Sequence, residues 1–185
     1  MWIAIIIIIA IIGFIISLYN GLVQLRNKVQ NAWSQIDVQL QRRFDLIPNL
    51  VETVKGYMTH ESETFAKIAE LRTSWANSTT VAEKAEIDNQ LSGALKTIMA
   101  VSESYPELKA NTNFMSLQEE LSSTEDKISY SRQFYNDATT RYNTNIALFP
   151  ANIVAGLFHF EARQLFQVDD PAARKNVKVD FGMNK

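Results

Sequence analysis

From Trp33 the apolar positions run Ile36, Leu40, Phe44, Ile47, Val51, Val54, Met58, Phe65 and Ile68. Steps of three and four dominate, which predicts one helical stripe facing a partner for about forty residues. Leu22, Leu25, Val29 and Ala32 carry the same rhythm toward the N-terminus. Pro48 interrupts it by removing a backbone donor and crowding the preceding turn, so a kink or short break is expected near Asp45–Ile47. Trp75 and the polar run Asn77-Ser78-Thr79-Thr80 close this element. A second stripe, Ile87, Leu91, Ala94, Ile98, Val101 and Tyr105, ends at Pro106, with a connection to about Asn113.

The third stripe is the most regular. Phe114, Leu117, Leu121, Thr124, Ile128, Ser131, Tyr135, Ala138, Tyr142, Asn145 and Phe149 alternate steps of three and four until Pro150. Thr, Ser, Ala and Asn make this seam too polar for a simple two-stranded zipper; small members allow close approach and a buried Asn fixes register. A last stretch, Ala151 to Val168, reads as a short helix that packs its aromatics on the bundle. No segment sustains period-two alternation, so no sheet is expected.

The N-terminus follows a different pattern. Trp2 to Leu18 is apolar apart from Ala4, Ala10, Gly13 and Ser17, with no polar face, and the first charge is Arg26. As a helix these residues reach about 25 Å, close to a hydrocarbon core of about 30 Å, with Trp2 and Tyr19 as interfacial aromatics. A cleaved signal peptide would carry a basic start and a small-x-small cleavage site, and neither is seen. A buried core helix would not be apolar all round. The reading is a retained anchor over residues 1–19, a helical bundle over 20–170 and a polar tail over 171–185. The fold class is all-α: an N-terminal transmembrane helix, an elongated antiparallel three-helix bundle and an additional C-terminal helix. Arg26 and Lys28 follow the span, so the positive-inside bias puts the bundle in the cytoplasm and the N-terminus outside.

Composition then removes chemistries. The 46% hydrophobic content divides between anchor and stripes, and a net charge of −2 gives no general attraction to nucleic acid. Zero cysteines exclude disulfides, a thiol nucleophile and thiolate metal sites. His60 and His159 are the only histidines, far from the His-Glu-x-x-His spacing that puts two ligands on one helix face. Glu119-Glu120 and Glu125-Asp126 are adjacent pairs, which diverge around a helix and cannot form a carboxylate dyad alone. Catalytic, cofactor and metal residues are therefore set to none, and the chain is expected not to be an enzyme.

The informative polar residues are Arg42, Arg43, Asp45 and Asn49 around Pro48, and Glu125, Arg132, Asn136 and Asn143 on the third stripe. Pairing across the bundle is the favoured role, because buried charges must be paired; an exposed partner surface is the alternative. Tyr135, Tyr142, Phe149 and Pro150 complete the structural or interaction candidates.

The chain also resembles a known family. Tyr19-Asn20-Gly21-Leu22-Val23, Ala32-Trp33, Ile36-Asp37-Val38-Gln39-Leu40 and Arg42 through Val51 resemble the start of the bacterial LemA family. Leu117-Gln118-Glu119-Glu120-Leu121, Arg132-Gln133-Phe134-Tyr135-Asn136, Tyr142-Asn143 and Phe149-Pro150 continue the likeness in the family's order, over residues 1 to 170. The resemblance implies a single N-terminal span, a long-helix bundle and no established enzymatic activity. A magnetosome membrane protein belongs to the same wider family, which suggests membrane organisation by analogy. The expected function is a membrane-anchored, non-enzymatic scaffold that self-associates. Its partners would be the lipid bilayer, further copies of itself and an unidentified membrane protein. A second reading is an accessory or adaptor subunit of a membrane protease or signalling complex, and a third is a lipid or small-molecule carrier.

Overall fold

The computed structural model describes residues 1–57 and 62–166. His60 and the polar tail 171–185 lie outside the described residues. The described chain is helical: α1 (Trp2–Lys55), α2 (Ser62–Asn77), α3 (Val81–Ser102), the single turn α4 (Pro106–Lys109), α5 (Thr112–Ala147) and α6 (Ala151–Leu157). Among the described residues there is no strand.

Helix α1 runs unbroken for 54 residues, and only its bundle-facing part has a buried stripe: Leu22, Val29, Ala32, Ile36, Leu40, Phe44, Ile47, Leu50 and Val54. Residues 1–17 are all exposed, and this end of α1 is long and apolar enough to cross a membrane. Of the kink or short break expected near Asp45–Ile47, the break does not occur, and Pro48 sits inside continuous helix. Burial of Phe44 and Ile47 before the proline, and of Leu50 and Val54 after it, holds both halves against the core. Together they outweigh a proline penalty of about 3 kcal/mol. The chain instead leaves the helix at Gly56 and Tyr57, so the first stripe is divided between α1 and α2.

The side-chain contacts give the directions of the helices. Phe44 stacks on Trp75 with centroids 4.5 Å apart, and Gln41 accepts a hydrogen bond from the Trp75 indole. Pro48 and Val51 share a groove with Phe65 and Ile68, so α2 runs antiparallel to α1. Lys84 pairs with Asp37 and Arg43 bonds Asp88, which makes α3 parallel to α1. Asn111 near Tyr57 and Tyr135 near Trp33 make α5 antiparallel to it. The outer part of the bundle thus has α1, α2, α3 and α5 around one core.

Local chemistry starts the helices where they start. Thr80 caps α3 with a reciprocal box: its hydroxyl accepts from the Glu83 amide, and the Glu83 carboxylate accepts from the Thr80 amide. Those amide bonds hold the Glu83 carboxyl below its ordinary value. Asn111 caps α5 by accepting from the amides of Asn113 and Phe114. Pro106, read as ending the second stripe, occupies the first turn of α4, where its missing donor costs nothing; α3 itself stops at Ser102.

The C-terminal stretch departs most from expectation. Helix is confined to Ala151–Leu157; the chain turns at His159, whose φ is 55°, and residues 160–166 are extended rather than helical. The third stripe also ends early, since α5 stops at Ala147 and leaves Phe149 outside it, exposed.

Candidate functional site

Two polar arrangements meet halfway along the bundle. The first is an ion cluster centred on Asp88 of α3, which is fully buried. One of its carboxylate oxygens accepts from Arg43 of α1 at 2.8 Å, and the other from Arg132 of α5 at 2.7 Å. Arg43, itself buried, also lies 2.8 Å from the half-exposed Glu125 carboxylate of α5. Three helices are tied at one level. Burial pushes the Asp88 carboxyl above its ordinary value while the two guanidiniums pull the other way.

The second arrangement is a polar ladder along α5 that holds the extended segment. Asn136 donates to the Phe166 carbonyl at 3.0 Å and accepts from the Phe166 amide at 2.8 Å. Seven residues on, Asn143 donates to the Arg163 carbonyl at 2.8 Å and accepts from its amide at 2.9 Å. Each asparagine amide thus pairs with a backbone as a neighbouring strand would, satisfying groups the segment cannot satisfy itself. Tyr135 and Tyr142 donate their hydroxyls to the carbonyls of Gln164 and Glu161 at 2.7 and 2.9 Å. Burial pushes both phenols above their ordinary value, so they stay protonated donors at neutral pH.

Phe166 joins the two arrangements. Its ring is fully buried, with the Arg132 guanidinium 4.7 Å from the centroid on one side and Trp33 at 6.3 Å. Arg132 therefore bonds Asp88 and at the same time stacks on the extended segment 160–166, which lies as a strap along α5. Replacing Asn136 and Asn143 by Ala is expected to remove four hydrogen bonds and cost about 2–6 kcal/mol, at about 0.5–1.5 kcal/mol each before relaxation. Hydrogen exchange would show it as faster exchange at the Arg163 and Phe166 amides, with α3 amides changed less. Unchanged exchange at those two amides would refute the strap.

The expected cluster around Pro48 comes apart. Arg43 enters the ion cluster with Glu125 and Arg132. Among the described residues, Arg42 pairs with Glu120, at 3.9 Å on the surface. Asp45 accepts from Gln41 one turn back, and Asn49 is exposed. Neither belongs to a cross-bundle pair, because the helix turns them away from the stripe carrying Arg43 and Phe44. Asn136 and Asn143 face the strap, not the Pro48 region. The hub itself, Asp88, was missed. Its signal was a carboxylate three residues after Ala85 and three before Leu91, on a buried face.

The profile of the LemA family matches residues 32–181, which hold α1's bundle half, the ion cluster, the ladder and the strap. The chain belongs to the LemA family. Protein LemA of Metamycoplasma hominis is 31% identical over 156 residues, covering 82% of this chain and 69% of that one. Two proteins of Paramagnetospirillum magneticum, magnetosome proteins MamQ 2 and MamQ 1, are 25% identical over 193 residues. That match covers 90% of this chain and 71% of each relative. Within this LemA-family chain, the polar residues brought together make salt bridges and hydrogen bonds between elements, an arrangement suited to fixing register.

Proposed function

We propose that this LemA-family protein is a membrane-anchored, non-enzymatic scaffold that self-associates and organises a membrane or recruits proteins to it. The observation that carries the reading is the single helix α1, which is apolar anchor at one end and bundle wall at the other, with no linker between. Such a post transmits position between bilayer and bundle. The relatives named as magnetosome proteins support a role at a membrane. For self-contact, the outer face of α5 offers Tyr130 and Phe134, exposed aromatics one turn apart. Arg26 and Lys28 favour a cytoplasmic bundle; a C-terminal reporter active only on the outer face would overturn that orientation.

A photo-crosslinking residue at Tyr130 or Phe134 of the full-length chain in cells tests the self-contact. The expected product is a ladder of the protein with itself. A single product with one unrelated protein would replace the scaffold by the adaptor reading. Absence of adducts, with strictly monomeric mass in nanodiscs at high concentration, would remove self-association.

A further inference from the structure

The nineteen residues from Tyr142 to Phe160 contain no Lys, Arg, Asp or Glu. They cover the end of α5, the turn through Pro150 and all of α6. One face of α6 packs inward through Val154 and Ala155. The other leaves Ile153 and Leu157 about two-thirds exposed, and the preceding turn leaves Phe149 at 79%. Phe149, Ile153 and Leu157 follow steps of four, and Leu148 and Phe158 extend the exposed apolar surface. A soluble domain rarely leaves so many large apolar side chains together in water.

The position of this face on the molecule identifies its occupant. Phe158 lies against Tyr19 with ring centroids 4.7 Å apart, and Phe160 is 5.7 Å from the same ring. Counted from Trp2 at 1.5 Å per residue, a hydrocarbon layer of about 30 Å ends near residue 22. Tyr19 is therefore inside the last turn of the span, and α6 sits beside it at the bilayer boundary. Leu22 is already buried by protein at that level, whereas residues 1–17 are all exposed among the described residues. Basic groups begin just beyond: Arg26 lies over the Phe160 ring at 5.2 Å, and both Arg26 and Arg163 are close to Tyr142. Glu161 is the acid among them. The order from lipid to water is thus apolar face, aromatic ring, then mostly basic headgroup-level charge.

We propose that Leu148, Phe149, Ile153, Leu157 and Phe158 form a second lipid contact, seated in the interfacial layer of the same bilayer that holds α1. The proposal rests on the reading of α1 as a membrane anchor. It adds a foot beside the post: two points of contact fix the tilt and rotation of the bundle, which a lone span leaves free.

Because the chain has no cysteine, single labelling sites can be introduced without removing any. Ile9→Cys, Ile153→Cys, Leu157→Cys and Ser122→Cys, each in the full-length protein, would carry a nitroxide in phosphatidylcholine–phosphatidylglycerol vesicles. Collision with oxygen, which concentrates in lipid, is compared with collision with a water-soluble nickel chelate. Labels at 153 and 157 are expected to favour oxygen several-fold over the label at 122, and to lie shallower than the label at 9. Water-like accessibility at 153 and 157, with the label at 9 still in lipid, would overturn the proposal and leave the anchor intact. A label at 9 in water would instead remove the anchor reading. Shielding of 153 and 157 from both reagents, with spin–spin broadening, would assign the face to a second copy and overturn the lipid contact.

Discussion

Asp88→Asn is expected to lower the unfolding free energy of the bundle by about 3–5 kcal/mol, the cost of breaking a buried ion pair by removing one partner. The substitution keeps the shape of the side chain but removes the charge of the carboxylate to which Arg132 is bonded, alone among the described carboxylates, while the Phe166 ring stays beside the guanidinium. Arg43 retains Glu125, which is half exposed and so a weaker counterion. Denaturant unfolding of the full-length protein, followed by the fluorescence of Trp33 and Trp75, measures the change. Trp75 is well placed, because Phe44 beneath it neighbours Arg43. A loss under about 1 kcal/mol would mean that water reaches the guanidiniums and that the cluster is not a closed one. The triple replacement Arg43→Met, Asp88→Leu and Arg132→Met separates stability from specificity. It is expected to unfold at or above the wild-type midpoint, because apolar residues of similar volume avoid the desolvation of three charges.

Phe166→Ala is expected to cost a comparable amount, about 3–5 kcal/mol, from lost burial and the cavity left among Trp33, Tyr135 and Arg132. Its effect should not stop at the strap. Without the ring, the Arg132 guanidinium loses the surface that holds it toward Asp88. Combining Phe166→Ala with Asp88→Asn should therefore cost less than the two separately, by about 0.5–3 kcal/mol, as expected for residues sharing a partner. Strict additivity would show that ladder and ion cluster are independent. The same variant should raise exchange at the Arg163 amide, since the segment is anchored at both ends of one ladder.

The parts of this architecture legible in the sequence are those whose physics is local. The span is readable because nothing charged precedes Arg26, and α5 because its seam repeats every seven residues. Asn136 and Asn143 stand out for the same reason, seven apart near that seam, yet their partner does not. Residues 160–166 contain apolar side chains that suit a helix as well as an extended strap. What decides is the supply of side-chain amides 20 and 30 positions earlier, which no local pattern displays. Asp88 was hidden in a similar way: one carboxylate in a stripe reads as solvated until its two arginines, 45 and 44 positions off, are brought to it. Pro48 works in the opposite sense, since the helix continues through it without a break. Its local penalty is real, but four buried neighbours on one continuous face override it.

The uninterrupted helix α1 sets a length as well as a connection. From Leu22, the first buried residue of the helix, to Lys55 there are thirty-three helical steps, or about 50 Å. Because α5 is packed along that distance and strapped to itself by residues 160–166, the far end cannot swing as a tethered domain would. With α1 anchored as proposed, the Gly56–Tyr57 tip and the start of α5 would be held at a fixed standoff from the lipid. On the proposed anchoring, anything that bound there would be met at one height, which would make the molecule a ruler for the space beside the membrane.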